Sequence, residues 1–311
     1  MKIKKHLFII NPKSGGKKTR IEEIERAIRA FADSTSDPCE VYLTKAPMDA
    51  CRKVAEEAET GDMLYVYACG GDGTLNECAN GAALRDNVAI TQYPCGTGND
   101  FLRMFGQGDI SKFHDFEALS NGIVRPLDLI ECNGRYGINI CSVGIDARVG
   151  TDVHKYSKIP IIGGATGYVV ALVVNVVKGV AQKYRITFEG TLIDKKTTLV
   201  CACNGRFYGG GFNPVPDAQP DDGILEYLVV DAVSRLKVAR IVGKYSKGRF
   251  RELSGVIRHF RGGALKIECG HEIIVNIDGE AIFAKSVAFN VVPNGINFIF
   301  PKNLAFFDSD R

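Results

Sequence analysis

Three glycine-rich segments in the first hundred residues combine a flexible backbone with carboxylate, hydroxyl and amide side chains. They begin at Asn11 (NPKSGG), at Gly70 (GGDGTLNE) and at Pro94 (PCGTGND). Glycines let backbone N–H groups approach an anion, and the N-terminus of a following helix adds favourable partial charge. In the second segment, Asp72 places a negative charge beside such a pocket, which makes chemical sense chiefly if Mg²⁺ lies between the carboxylate and a phosphate. The pattern therefore indicates a phosphate-binding site that uses Mg²⁺.

Each segment also has a purely structural explanation. The first lacks the GxxxxGK[ST] spacing of a P-loop, and its glycines could serve only a strand-to-helix turn. In the second, Asp72 could be only a helix cap. The third segment adds a hydroxyl, an amide and a second carboxylate, from Thr97, Asn99 and Asp100. Three such segments together are hard to explain by turns alone, so they favour a phosphate site.

The first half of the chain alternates short β-branched or aromatic runs with helical patterns. The expected strands cover residues 6–10, 41–44, 64–68 and 88–92. Between the first two, apolar residues recur at helical spacing: Ile21, Ile24, Ile28 and Phe31. Strand followed by helix, repeated, predicts a parallel sheet. Ligands of such sheets bind beyond the carboxyl ends of the strands, where the three glycine segments fall.

From about residue 126 the pattern changes to hairpins. Asn133-Gly134 is a type I′ turn signal between expected strands 127–132 and 136–142, and Pro293-Asn294-Gly295 separates expected strands 287–292 and 296–300. Further strands are expected at residues 185–189, 199–204, 224–230, 265–268 and 273–277. We therefore expect an α/β domain over residues 1–126 and an antiparallel β-sandwich over 127–299. A helical insertion near 150–180 interrupts the sandwich, and the segment of about 300–311 can pack back on the first domain.

Composition limits the class of protein. The 311 residues are 45% hydrophobic and 24% charged, which is typical of soluble globular chains rather than disordered or membrane-embedded ones. A net charge of +3, without aromatic and basic residues interleaved in the way that stacks nucleic-acid bases, argues against nucleic-acid binding. The ten cysteines show no CxxC spacing, and the five histidines show no metal-ligand spacing. Reduced thiols in the cytoplasm are expected.

The three segments resemble the NPxSGG, GGDGT and GTGND signatures of the bacterial diacylglycerol kinase and sphingosine-kinase-like lipid kinases. The resemblance extends over nearly the whole chain, where Asp221-Asp222-Gly223 and Asp278-Gly279-Glu280 match later family segments. It implies an α/β nucleotide domain, a β-sandwich and an active site in the cleft between them. It also implies transfer of the γ-phosphoryl group of ATP to a lipid hydroxyl, with diacylglycerol favoured and phosphatidic acid as the product.

The resemblance carries over to individual residues. It implies that Asp72 and Asp100 organise catalytic Mg²⁺, that Glu280 accepts the proton of the lipid alcohol, and that a structural Mg²⁺ is bound by Asp222 with the backbone carbonyls of Gln219 and Ile224. Asp128 matches a hydrogen-bonded family aspartate, or is simply the polar face of a strand. The residues expected to contact ATP are Asn11, Pro12, Lys13, Ser14, Gly15, Thr44, Gly70, Gly71, Asp72, Gly73, Thr74, Leu75, Asn76 and Thr97.

Two rival functions stay open. NAD kinases also carry GGDGT and pair it with a β-rich domain, although NPKSGG and GTGND together fit the lipid kinases better. The second rival function is a non-catalytic nucleotide sensor on the same fold. The acidic residues expected for catalysis and metal binding argue against it, because a binding module needs no base opposite the phosphate. The expected partner is a membrane lipid, which a cytoplasmic protein would reach by peripheral association with the membrane. A homodimer is also compatible with the family. One basic stretch is either a solvated face or a membrane-docking surface: Lys244, Lys247, Arg249, Arg251, Arg258 and Arg261.

Overall fold

The computed structural model of the protein describes residues 4–14, 18–96, 98–149, 175, 181–304 and 306. The chain forms two compact units. One comprises Met1–Leu127 together with Asn294–Arg311, and the other comprises Asp128–Pro293. The chain therefore returns to the first unit at Asn294, earlier than the expected position near residue 300. The helical insertion expected near 150–180 lies outside the described residues, apart from Asn175.

The first unit alternates strands with helices. Its elements are β1 (Lys4–Ile10), α1 (Lys18–Ser34), β2 (Cys39–Leu43), α2 (Asp49–Ala58), β3 (Met63–Gly70), α3 (Asp72–Ala82), β4 (Val88–Pro94), α4 (Asp100–Arg103), a 3₁₀ helix (Gln107–His114) and α5 (Phe116–Ser120). Strand β1 pairs in parallel with β2 and β3, and β3 pairs in parallel with β4. The predicted parallel sheet is confirmed.

Apolar runs and helical periodicity explain this layering. Residues 7–10 of β1 are fully buried, as expected for a strand covered on both faces. Of the apolar residues at helical spacing in α1, Ile24, Ile28 and Phe31 are buried. The Phe8 ring stacks on Tyr67 of β3 with 4.7 Å between ring centroids. The sheet and its helices thus share one apolar core that fixes the strand ends.

The second unit is built mainly from antiparallel strands. The remaining elements with bounds inside the described ranges are β5 (Ile123–Cys132), β6 (Arg135–Gly137), β7 (Ile140–Gly144), β8 (Gln182–Phe188), β9 (Thr191–Cys203), β10 (Leu225–Asp231), α6 (Arg235–Tyr245), a 3₁₀ helix (Phe250–Leu253), β11 (Ile257–Gly262), β12 (Ala264–Ile277) and β13 (Glu280–Phe300). Neighbouring strands pair in the order β11-β10-β9-β7-β12-β13, and β8 bridges β9 and β12. Alternate residues of β10 enter two separate apolar clusters, one containing Tyr227 and the other Leu228.

The predicted turn at Asn133-Gly134 is confirmed, since both residues have positive φ angles (50° and 81°) and join β5 to β6. The hairpin predicted at Pro293-Asn294-Gly295 is wrong. Strand β13 continues through these residues, because its first part pairs with β12 and its last part pairs with β4 through Asn297 and Phe298. Partners distant in sequence therefore decide against a turn that the local residues favour.

Two other strand predictions need correction. The separate strands expected at 265–268 and 273–277 form the single strand β12, with a break in pairing register between Glu268 and Ile273. Strand β11 overlaps the end of the basic stretch, where the sequence pattern predicts no strand. All ten cysteines are free. Within the described ranges, no helix has the length and apolar character needed to cross a membrane.

Candidate active site

The end of β1 is hydrogen-bonded to both neighbouring strands. The Asn11 N–H donates to the carbonyl oxygen of Cys69 in β3 (3.2 Å), and the Thr44 N–H just after β2 donates to that of Ile10 (2.9 Å). The Asn11 side-chain amide donates to Thr74 Oγ1 in α3 (3.2 Å). Three residues expected at the nucleotide site, Asn11, Thr44 and Thr74, therefore lie at one edge of the parallel sheet.

The first glycine segment turns sharply after Asn11. The Asn11 side-chain oxygen accepts the Lys13 N–H (3.0 Å), and its carbonyl oxygen accepts the Ser14 N–H (3.0 Å). Pro12 and Lys13 are exposed and Ser14 is half-buried, so this turn is accessible to a ligand. Two of the residues expected to contact ATP lie outside the described part of the chain: Gly15 and Thr97.

The second and third glycine segments pack backbone to backbone. The Gly70 carbonyl oxygen accepts the Cys95 N–H (3.0 Å). A Cβ atom added to Gly96 would lie 2.5 Å from the Cα of Gly71, and one added to Gly70 would lie 2.3 Å from Thr74 Oγ1. Real Cβ atoms do not approach so closely, so packing alone requires glycine at these positions.

The Asp72 and Asp100 carboxylates face the same glycine. A Cβ atom added to Gly98 would lie 2.8 Å from Asp72 Oδ2 and 3.7 Å from Asp100 Oδ2. The Phe101 N–H donates to Asp72 Oδ1 (3.4 Å). Arg103 Nε donates to the Gly98 carbonyl oxygen (3.1 Å) and lies 3.1 Å from Asp100 Oδ1. The structure thus brings together the two carboxylates that sequence analysis assigned to catalytic Mg²⁺.

The surroundings of this pair fit a divalent cation. Although part of Asp72 is accessible, loss of hydration raises the pKa of its carboxyl, while the N–H groups of Asp100 and Phe101 and the charge of Arg103 act in the opposite direction. A bound cation favours the ionised form of a carboxyl and would offset this loss of hydration. Carboxylate oxygens are also the ligands that Mg²⁺ prefers. Asp72 and Asp100 would hold the ion.

The remaining residues of GGDGTLNE differ in exposure. Gly73 is exposed, whereas the Leu75 side chain is completely buried and Asn76 is almost so. The Asn80 side chain donates to both oxygens of Asn76, at 2.9 Å for the carbonyl and 3.2 Å for the amide. Leu75 is therefore a core residue whose contact with a nucleotide could come only through its backbone.

The Asp222 carboxylate contacts a backbone N–H group and an arginine side chain. Asp222 Oδ1 accepts the Ile224 N–H (3.1 Å), and Oδ2 lies 3.4 Å from Arg261 Nη2. Partial burial raises the pKa of Asp222. The Gln219 side-chain oxygen is buried and accepts no hydrogen bond from a described residue. In the described ranges, no three His, Cys, Asp or Glu side chains form a metal site. A metal here would need carbonyl oxygens beside one carboxylate, so the Asp222 metal site stays a prediction.

Asp128 is a buried residue of a hydrogen-bond network rather than a solvated strand residue. Its side chain is 2% exposed. Its carboxylate accepts the Gly223 N–H (2.7 Å), and its own N–H donates to the carbonyl of Pro220 (2.6 Å). The Asn204 side chain donates to the Asp128 carbonyl oxygen (2.8 Å). Asp128 therefore fixes the loop that carries Asp222.

Glu280 follows a two-residue turn. Asp278 and Gly279 have positive φ angles (49° and 101°), and Ile277 pairs with Glu280 across the hairpin between β12 and β13. Glu280 is exposed. The Asp278 carboxylate accepts three backbone N–H groups at 2.6 to 3.1 Å, from Ile138, Asn139 and Ile140. Asp278 thus anchors the turn, and the catalytic role of Glu280 stays a prediction.

Family models divide the chain in the same way. The diacylglycerol kinase catalytic domain matches residues 5–132. The YegS C-terminal NAD kinase beta sandwich-like domain matches residues 139–300, and this second match alone covers just over half of the chain. The chain belongs to the bacterial diacylglycerol kinase-like family of lipid kinases. The expected α/β domain and β-sandwich are those of this family.

Individual relatives share the family at low identity. A Staphylococcus aureus (strain MRSA252) protein named "Putative lipid kinase" is 26% identical over 250 residues, covering 80% of this chain and 81% of the relative. A Bacillus anthracis (strain Sterne) structure described as a "putative diacylglycerol kinase" superposes with a TM-score of 0.76 at 25% identity, covering 98% and 97% of the two chains. A second such structure gives 0.76 at 26% identity, covering 98% and 99%.

Sequence analysis of this lipid kinase missed one residue that links the site, Gln92, near the end of β4. Its side chain is fully buried, and its amide nitrogen donates to the Gly70 carbonyl (3.4 Å) and to Asn99 Oδ1 (3.3 Å). Asn99 Nδ2 in turn donates to the Gly96 carbonyl (3.0 Å). Gln92 therefore links the second glycine segment to the third. A polar residue inside an otherwise apolar strand was the available signal.

Sequence analysis also missed an apolar cavity of about 60 Å³ in the second unit. One buried carboxylate borders it, that of Asp146, which accepts a hydrogen bond from Ser142 Oγ (2.6 Å). The glycines 209–211 all have positive φ angles, so the backbone between Tyr208 and Phe212 turns tightly. Side chains lining the cavity include Tyr208, Phe212, Val238, Ile241, Tyr245 and Ile257.

Proposed function

We propose that this protein is an ATP- and Mg²⁺-dependent kinase that transfers the γ-phosphoryl group to a lipid hydroxyl, with diacylglycerol as the favoured acceptor and phosphatidic acid as the product. The observation that carries the proposal is the pair of carboxylates, Asp72 and Asp100, facing Gly98 at a glycine-lined sheet edge in a chain of the lipid kinase family. Phosphoryl transfer requires charge neutralisation and positioning rather than covalent chemistry by the protein, and this edge supplies groups for both.

The glycine segments bind the triphosphate in this proposal. Backbone N–H groups of Gly71 and Gly73, with the Asn11 turn and Thr44, hold the phosphates at the carboxyl ends of the strands. Mg²⁺, when bound, neutralises charge that develops on the phosphates. Arg103 restrains both Asp100 and the Gly98 carbonyl, so the carboxylate pair is held before the nucleotide arrives.

The acceptor is a lipid alcohol in this proposal. Glu280 is exposed at the start of β13 and accepts the proton as the hydroxyl attacks phosphorus. The apolar cavity in the second unit supports an acceptor with a hydrocarbon chain, because it is lined almost entirely by apolar side chains. Its volume has room for only part of one acyl chain. Asp222 and the Gln219 and Ile224 carbonyls bind a structural Mg²⁺ that stiffens the same unit.

A substrate panel tests the proposal. Purified protein with labelled ATP and Mg²⁺ is offered diacylglycerol, monoacylglycerol, ceramide, a sphingoid base and a polyprenol in mixed micelles, and NAD in solution. We expect labelled lipid that disappears when a chelator removes Mg²⁺. Phosphorylation of NAD without lipid turnover would instead identify an NAD kinase. Nucleotide binding with transfer to no acceptor would identify a sensor. We also propose that the protein forms a homodimer, and gel filtration of the same sample tests this.

A further inference from the structure

Helix α6 carries a concentration of positive charge that the candidate active site does not use. Between residues 232 and 251 the chain has no acidic residue, and it has seven basic ones: Arg235, Lys237, Arg240, Lys244, Lys247, Arg249 and Arg251. Two of them, Arg235 and Lys237, occupy the first turn of the helix. Cations are unfavourable there because the helix N-terminus is itself partially positive. Helix stability therefore does not explain their presence.

Four of these seven basic residues also lack an ion-pair partner among the described residues. Lys244 pairs with Glu252 (3.1 Å), as does Arg249, and Arg251 pairs with Asp217 (2.8 Å). The other four basic residues of the run form no ion pair with a described residue: Arg235, Lys237, Arg240 and Lys247. An unneutralised cluster of this kind attracts a polyanionic surface.

The two faces of α6 differ in character. Val238, Ile241 and Tyr245 face inward and line the apolar cavity. On the opposite side, Leu236 is 73% exposed and shares a helical stripe with Arg240, four residues further on. A large exposed apolar residue among cations is typical of a surface that meets both the headgroups and the hydrocarbon of a bilayer.

We propose that the α6 outer face, defined as Arg235, Leu236, Lys237 and Arg240, docks on an anionic lipid bilayer, together with Lys247 just after the helix. The inference rests on the proposed function in one respect: it explains how a lipid acceptor reaches the second unit. Because the same helix forms part of the cavity wall, a bilayer on its outer face lies about one helix diameter, ~10 Å, from the cavity. A nucleic acid is the weaker partner, since this face offers no aromatic ring for base stacking.

Vesicle binding tests the proposal without catalysis. Wild-type protein is sedimented, in the absence of nucleotide, with vesicles of phosphatidylcholine alone or with added phosphatidylglycerol. We expect tight binding only to the anionic vesicles, weakened by salt. Each cation near such a surface strengthens binding by about fivefold, so R235Q/K237Q/R240Q should weaken it by roughly a hundredfold. Leu236→Ala should weaken it further by severalfold, because less apolar surface enters the bilayer.

The matched control is K196Q/K266Q/K285Q, which removes the same charge from exposed positions of the same unit. It should bind vesicles nearly as wild type does. Equal losses in both triple variants, no binding by the wild type, or tighter binding to a nucleic-acid duplex than to vesicles would each overturn the proposal. Melting temperatures of both variants show whether they fold. If the wild type binds vesicles but phosphorylates no lipid in the substrate panel, the proposed function fails while docking stands.

Discussion

At the scale of single residues, Gly98 explains how Asp72 and Asp100 come to share one location. Any side chain at position 98 would meet Asp72 Oδ2 at 2.8 Å. The absence of a side chain leaves room in which the two carboxylates face a common point, with Arg103 restraining one of them. Spacing along the chain could not show this, because 28 positions separate the two residues.

Asp72→Asn should lower lipid phosphorylation by about a hundredfold or more, because the change keeps the shape of the side chain but removes its charge. Burial raises the pKa of Asp72, so its ionised form carries a stability cost in metal-free buffer. The variant should therefore melt no lower than wild type under those conditions. Steady-state kinetics and thermal melting of the same preparation measure both effects. The exposed Asp86→Asn is the control, and normal turnover by Asp72→Asn at saturating Mg²⁺ would reduce Asp72 to a turn residue.

Glu280→Gln should lower kcat by roughly a hundred- to ten-thousandfold while leaving ATP affinity nearly intact, since a general base acts on the acceptor hydroxyl and not on the nucleotide. Glu272→Gln, also an exposed glutamate of the same hairpin, is the matched control. Nucleotide affinity and lipid phosphorylation are measured together. An unchanged kcat would remove Glu280 from the mechanism and leave only the structural role of the Asp278-Gly279 turn.

At the scale of elements, local signals succeeded where partners lie close in sequence. The Asn133-Gly134 turn and the α1 periodicity need only neighbouring residues, and both are confirmed. The turn signal at Pro293-Asn294-Gly295 failed because β13 pairs with β12 on one side of it and with β4 on the other. Asn294 keeps the positive φ angle of a turn residue (53°), so the local preference persists without reversing the chain.

The Asp222 loop allows a prediction about metal and stability. Wild-type protein should melt several degrees higher as Mg²⁺ rises, because an ion bound only by the folded state stabilises it by mass action. Asp222→Ala should reduce this dependence, leaving only the part due to Mg²⁺ held by Asp72 and Asp100, and should lower lipid phosphorylation, whereas the adjacent Asp221→Ala should keep the full dependence. Thermal melting across a Mg²⁺ titration is the measurement. Identical curves for wild type and Asp222→Ala would remove the structural-metal assignment, and Arg261 would then be the main positive charge beside Asp222.

At the scale of the whole molecule, β13 contributes to both units. Its residues from Glu280 to Asn290 pair with β12, and Asn297 and Phe298 pair with β4. Phe298, Ile299 and Phe300 are fully buried. The first unit is therefore completed by residues about two hundred positions after β4, and its stability depends on this distant part of the chain.

Phe298→Ala should lower the free energy of unfolding of the first unit by about 3–5 kcal/mol, because a large buried ring is lost and a cavity is left. Phe283→Ala is the control on the same strand, since Phe283 is 64% exposed and its loss should cost less than about 0.5 kcal/mol. Hydrogen exchange of the β4 amides in each variant measures the difference. Equal protection in the two variants would contradict the role assigned to the end of β13.

The sequence by itself determined the parallel sheet, the change to antiparallel strands and the three glycine segments, because apolar periodicity and glycine backbone freedom act over a few residues. The tertiary structure alone decided which groups meet. It brought the Asp72 and Asp100 carboxylates to the same side of Gly98 and linked the second and third glycine segments through Gln92. It also buried Asp128, which is hydrogen-bonded to the Asp222 loop, and formed the apolar cavity lined by α6. Each of these contacts joins residues from different elements, and such contacts depend on core packing that no local pattern specifies.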